Sequence, residues 1–154
     1  MNQLTYQLTP DYSEVKKKEL WLGLELSIDG KSPLLAPNAD DFDIRELLSS
    51  GNPVSKNPHF ILTCSCGSPG CAGYFKGVKV NIADEKVEWL DQDQGFTYQF
   101  VKEVYFSTLR ALYKELCDWN NHAKSRRLTL RLFPDWHLTD DIISDGAYLI
   151  NVEC

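Results

Sequence analysis

The chain has 154 residues, the length of one ordinary domain, and 43% of them are hydrophobic, so a core can form without disulfide bonds. Its formal net charge of −6 disfavours binding to nucleic acid or to an anionic membrane, since both need an excess of Lys and Arg. The N-terminal residues lack the basic and apolar parts of a secretory signal, and no apolar run approaches the roughly 20 residues of a membrane span. We therefore expect a single cytoplasmic domain over residues 1–154.

The N-terminal third of the chain predicts two strands and one short helix. Between Leu20 and Ile28 every second residue is apolar, a period typical of a half-buried strand. A shorter alternation over residues 4–8 predicts an edge strand that Pro10 ends. Residues 40–48 predict a helix, because acidic residues fill its first turn, where they interact favourably with the helix dipole.

The middle of the chain predicts an antiparallel meander, and the segment after it predicts a long helix. Four alternating segments separated by turns predict the strands of the meander: residues 59–63, residues 74–82, the segment around Val87 and Trp89, and the segment around Phe96, Tyr98 and Phe100. Apolar residues then recur at spacings of four and three from Tyr105 to Trp119, which predicts a helix over about residues 102–121. Strands over 128–133 and 147–152 complete an α+β fold, in which an antiparallel sheet packs against one long helix and one short helix.

The loop after the first strand of the meander holds three of the five cysteines within eight positions. In a strand, Cys64 and Cys66 would point to the same face because they are two residues apart. The segment Ser68-Pro69-Gly70-Cys71 predicts a type II turn, with Pro at its second position and Gly at its third. Such a turn would bring Cys71 back toward Cys66, so we expect the three sulfurs to lie within a few ångströms of one another.

Three roles stay open for this loop: a metal site, reduced structural cysteines in a glycine-rich hairpin, and a disulfide or redox role. A structural zinc site takes four ligands. We expect Cys117, on the predicted long helix, as the fourth, with Cys154 as a second choice; His59 would face away from the other ligands. The odd and clustered set of cysteines indicates a reducing cytosol rather than a secreted disulfide framework.

The same region carries a resemblance. Residues 64–73 match the pattern C-x-C-G-x-x-G-C-x-G, and the apolar segments before and after them complete a match over about residues 60–89. This region resembles uncharacterised small bacterial proteins that share this loop between two strands. The resemblance implies a bacterial cytosolic protein and carries no activity over to this chain.

The sequence holds no motif of a serine hydrolase, a zinc protease, a phosphate-binding loop or a dinucleotide fold, so we expect a binding protein rather than an enzyme. The expected function is that of an inhibitor or immunity-type protein that neutralises a basic toxin or nuclease by protein–protein binding. The expected partner-binding residues are acidic, with one aromatic anchor: Asp40, Asp41, Asp43, Glu46, Asp140, Asp141, Asp145 and Trp136. The alternatives are a zinc-stabilised scaffold or regulatory module that uses the cysteine loop, and a thiol-dependent enzyme whose Cys–His pair meets only in space.

Overall fold

The computed structural model describes residues 1–33, 41–132 and 142–143, and it confirms the mixed α+β class. The helices and strands are, in chain order, β1 (Leu4–Asp11), β2 (Glu19–Ile28), β3 (Asp41–Phe42), α1 (Ile44–Ser49), β4 (Leu62–Thr63), β5 (Val78–Ile82), β6 (Lys86–Asp91), β7 (Phe96–Val101), α2 (Lys102–Ser125) and β8 (Thr129–Leu132). Within the described ranges the strands form three small sheets rather than one. The strand predicted over residues 147–152 lies outside these ranges.

The first sheet has the order β1-β2-β8. Strands β1 and β2 pair antiparallel, from Leu4 opposite Ile28 to Asp11 opposite Trp21. The prediction that Pro10 ends β1 is wrong, because an edge strand tolerates a residue without an N–H group. Strand β8 pairs parallel to β2, so the expectation of a purely antiparallel sheet needs correction here. A parallel pair requires a crossover connection, which the long intervening chain with α2 supplies.

The predicted meander exists as the sheet β5-β6-β7, with Val80 opposite Trp89 and Trp89 opposite Tyr98. Its first strand begins at Val78 and not at residue 74, because the residues before it form a loop. The strand predicted over 59–63 is reduced to the two residues of β4, which pair with β3 in a separate sheet.

Helix α2 confirms the apolar stripe and is slightly longer than predicted, ending at Ser125. The stripe residues from Tyr105 to Leu116 are exposed by 1% or less, and α2 packs on β1, β6, β7 and β8. Helix α1 begins at Ile44, four residues later than predicted, because Asp43 is its N-cap and the residues before Asp43 belong to β3. Among the described residues, no helix is both long enough and apolar enough to cross a membrane.

Candidate metal centre in the cysteine loop

The structure brings together three of the four cysteines predicted as ligands. The Sγ atoms of Cys64, Cys66 and Cys71 all lie within 4.8 Å of one another in the loop between β4 and β5. The sequence-based expectation of their proximity is therefore confirmed. Cys64 is buried, whereas Cys66 and Cys71 are exposed, so the cluster opens onto the surface on one side.

The backbone achieves this convergence differently from the prediction. Residues Pro69–Ala72 form a short 3-10 helix instead of a type II turn, and Pro69 occupies its first turn, where a missing N–H group costs nothing. The positive φ angles belong to Gly67 and Gly73, at 80° and 86°, rather than to Gly70. Gly67 allows the chain to turn directly after Cys66, and Gly73 ends the helical turn that carries Cys71.

Two of the three loop cysteines are bonded to each other, and the third is a free thiol. Cys64 and Cys66 form a disulfide, with their Cα atoms 5.3 Å apart, and Cys71 keeps a free thiol. The backbone N–H of Cys66 donates a hydrogen bond to Cys64 Sγ over 3.3 Å. In the reduced form the loop presents three sulfur ligands on one side, a donor set that soft and borderline metals such as zinc and cuprous copper prefer.

The exit of the loop is fixed to the turn between β6 and β7. The carboxylate of Asp93 accepts hydrogen bonds from three consecutive backbone N–H groups, those of Phe75, Lys76 and Gly77, over distances between 2.8 and 3.1 Å. Gly77 has a φ of 72°, and a Cβ atom there would lie 3.0 Å from the His59 carbonyl oxygen. Asp93 thus replaces strand pairing for residues 75–77, and no local pattern in the sequence reveals this distant partner.

Asp91, at the end of β6, organises the same turn. Its carboxylate accepts hydrogen bonds from the backbone N–H groups of Asp93 and Gln94 at 3.1 and 3.0 Å. The side chain is buried, and this burial raises the pKa of the Asp91 carboxyl above its usual value, although the two hydrogen bonds oppose the shift. The acidic turn is therefore a structural element that holds the cysteine loop.

His59 lies apart from the cysteine group and has other partners. Its ring is buried, with Nδ1 3.1 Å from Ser49 Oγ and Nε2 3.1 Å from Ser55 Oγ. Glu46 Oε2 lies 3.6 Å from Nδ1 and accepts the Phe60 N–H at 3.0 Å. The contact with His59 and this backbone hydrogen bond hold the pKa of the Glu46 carboxyl below its usual value. His59 therefore connects α1 to the segment that leads into β4.

The structure does not bring Cys117 to the other three predicted ligands. Cys117 lies on α2 with 4% of its surface exposed and packs within the core, and its sulfur is disulfide-bonded. The sequence placed it correctly on the long helix, but the helical pattern carries no information on which loop faces that side. Cys154, the second choice, lies outside the described residues.

The acidic residues predicted to bind a partner fall into two groups. Within the fold, Asp43 accepts the Glu46 N–H at 3.0 Å as the N-cap of α1, and Glu46 contacts His59 and Phe60, while Asp41 is half-buried in β3. Asp43 and Glu46 therefore have contacts within the fold that any test of partner binding must preserve. The remaining predicted residues lie outside the described ranges: Asp40, Asp140, Asp141, Asp145 and Trp136.

Comparison of the chain with family models, with curated proteins and with solved structures finds no match. In the part of the chain that the structure describes, the cysteine loop is the one group in which three potential metal-ligating side chains converge.

Proposed function

We propose that the protein is a zinc-stabilised scaffold or regulatory module, in which the reduced cysteine loop holds the metal through Cys64, Cys66 and Cys71. The observation that carries this proposal is the separation of the three Sγ atoms, none greater than 4.8 Å. Sulfurs bound to one tetrahedral zinc ion lie roughly 3.8 Å apart, given a zinc–sulfur bond of about 2.3 Å. Reduction of the disulfide between Cys64 and Cys66 and small changes of side-chain rotamer would bring the three separations to this value.

The surroundings of the loop support a structural metal rather than a catalytic one. The loop joins β4 to β5, and Asp93 fixes its exit, so a metal held by the three sulfurs would fix the conformation of the connection between two sheets. His59, the nearest histidine in sequence, is hydrogen-bonded to two serines, which gives the loop no general base from this side chain. The fourth zinc ligand of this proposal is a further protein donor or a water molecule.

The test measures zinc in protein purified under reducing conditions and the melting temperature with and without a chelator. We expect about one zinc ion per chain. A metal present at about a hundredfold its dissociation constant adds about 2.7 kcal/mol to the free energy of unfolding. For a chain of this size, chelation should then lower the melting temperature by roughly 5–10 °C.

Two variants make this test specific. Cys66→Ser removes one proposed ligand and should abolish the effect of the chelator, whereas Ser65→Ala alters the neighbouring exposed position and should behave like the unmodified protein. Circular dichroism of both variants confirms that they are folded. Metal-free protein with an unchanged melting temperature in chelator would overturn the proposal.

A second candidate is an inhibitor or immunity-type protein that binds a basic partner, which the net charge of −6 favours. Because Asp43 caps α1, its replacement must keep the cap. Asp43→Asn keeps the cap and removes one charge, whereas Asp43→Ala removes the cap and the charge together. Association with a basic partner should slow as salt rises, and neutralising acidic residues should slow association at low salt. Binding that is indifferent to salt would contradict this second candidate.

A further inference from the structure

The sulfurs of the loop cannot bind zinc and form a disulfide at the same time. The zinc site of the preceding section needs Cys64 and Cys66 as thiolates, whereas the structure joins these two residues in a disulfide and leaves Cys71 free. We propose that the loop is a peroxide-sensitive switch, in which oxidation of Cys64 and Cys66 to a disulfide releases the zinc ion. This inference rests on the proposed zinc-binding function.

Backbone geometry selects the pair that is oxidised. The Cα atoms of Cys64 and Cys66 are 5.3 Å apart, inside the range of about 4.4–6.8 Å that a disulfide bridges without backbone movement. The N–H of Gly67 donates to the Cys64 carbonyl oxygen at 2.8 Å, and this turn holds the two cysteines close. The folded loop therefore accommodates a disulfide between these two cysteines.

Exposure sets the order of the two chemical steps. Cys66 is exposed, as is Cys71, while Cys64 is 5% exposed, so within the pair that forms the disulfide a peroxide in solution reaches Cys66 first. The Cys66 thiolate attacks one peroxide oxygen, the O–O bond breaks, and hydroxide leaves, which gives a sulfenic acid at Cys66. The Cys64 thiolate then attacks the Cys66 sulfur, the S–O bond breaks, and a second hydroxide leaves.

The balance of the reaction is complete with peroxide as the oxidant. The two thiolates lose two electrons, hydrogen peroxide gains them, and two protons from solvent convert the hydroxide ions to water. Zinc leaves because Cys71 alone supplies one ligand where a structural site needs four. It leaves as Zn²⁺, with no change of oxidation state. A dithiol reductant reverses the disulfide and restores the three ligands.

The experiment follows zinc and sulfur in the same sample. Reduced, zinc-loaded protein is titrated with hydrogen peroxide while a chromophoric chelator reports free zinc. The protein is then alkylated and digested with trypsin, which places all three cysteines in one peptide, residues 57–76. We expect about one zinc ion released per disulfide formed, with alkylation at Cys71 and an internal bond between Cys64 and Cys66. Dithiothreitol should restore zinc binding.

A matched variant tests whether Cys64 and Cys66 are the two cysteines that form the disulfide. Cys71→Ser should form the same disulfide as the unmodified chain, since Cys71 takes no part in it. Zinc that stays bound after oxidation, or a disulfide that includes Cys71, would overturn the switch and leave the zinc-binding function standing. If the reduced protein binds no zinc, the proposed function falls and the switch falls with it, even where the disulfide forms.

Discussion

At the scale of single residues, the hydroxyl of Tyr105 is the polar centre of the core. Tyr105 is 1% exposed, and its oxygen accepts the indole N–H of Trp89 at 3.1 Å and contacts the hydroxyl of Ser50. Tyr105→Phe leaves the buried Trp89 N–H without its acceptor. We expect a loss of about 1–3 kcal/mol in the free energy of unfolding, measured by urea denaturation.

The matched control for this change is Tyr98→Phe, at a half-buried position of β7. Removal of this hydroxyl should change the free energy of unfolding by less than about 0.5 kcal/mol. A Tyr105→Phe protein as stable as the control would show that the Trp89 N–H finds another partner.

Glu46 and Asp91 make opposite contributions to acid stability. The pKa of Glu46 is lowered from 4.5 by its contact with His59, so its stabilising effect is present above that value and is lost as the pH falls below it. The pKa of Asp91 is raised by burial, so protonation of Asp91 in acid stabilises the fold. Urea denaturation from pH 7 downward should therefore show a shallower acid loss for Glu46→Gln and a steeper one for Asp91→Asn. Identical slopes for the two variants would contradict this assignment.

At the scale of elements, the turn between β6 and β7 holds the exit of the cysteine loop. Asp93→Ala removes the acceptor of three consecutive N–H groups and should lower the melting temperature and weaken zinc binding. Asp93→Asn keeps one acceptor oxygen and should have a smaller effect on both quantities. The assignment fails if the Ala and Asn variants melt at the same temperature and bind zinc equally.

The elements that the sequence predicts well are those set by local periodicity. The stripe of α2 and the alternation of β2, β6 and β7 each depend on neighbours along the chain, and the structure contains all of them. The predictions of strand bounds and strand pairing are wrong where contacts between residues distant in sequence determine the structure. Asp93 lies 16 to 18 residues from the N–H groups it binds, and it holds residues 75–77 out of the strand expected there. Likewise, the parallel pairing of β8 joins residues 110 apart, such as Glu19 and Thr129.

At the scale of the whole molecule, the cysteine loop connects parts of the fold that the strands keep separate. Strand β4 pairs with β3, whereas β5 belongs to the meander, and one backbone bridge between His59 and Val78 joins the two regions beside the loop. A metal bound to Cys64, Cys66 and Cys71 would make the loop between these two regions more rigid. The proximity of the three cysteines was predictable from their spacing, but the exclusion of Cys117 depends on how α2 packs in the core.

Zinc binding by the loop can be measured through the alkylation rate of each loop cysteine in the reduced protein, with and without zinc. Bound zinc should slow alkylation of Cys64, Cys66 and Cys71 together, with Cys66 and Cys71 giving the larger signals because they are exposed. The control is Cys66→Ser, which lacks one proposed ligand, so zinc should leave the alkylation rates of its Cys64 and Cys71 unchanged. If zinc leaves the alkylation rate of each loop cysteine unchanged, zinc does not bind at this loop.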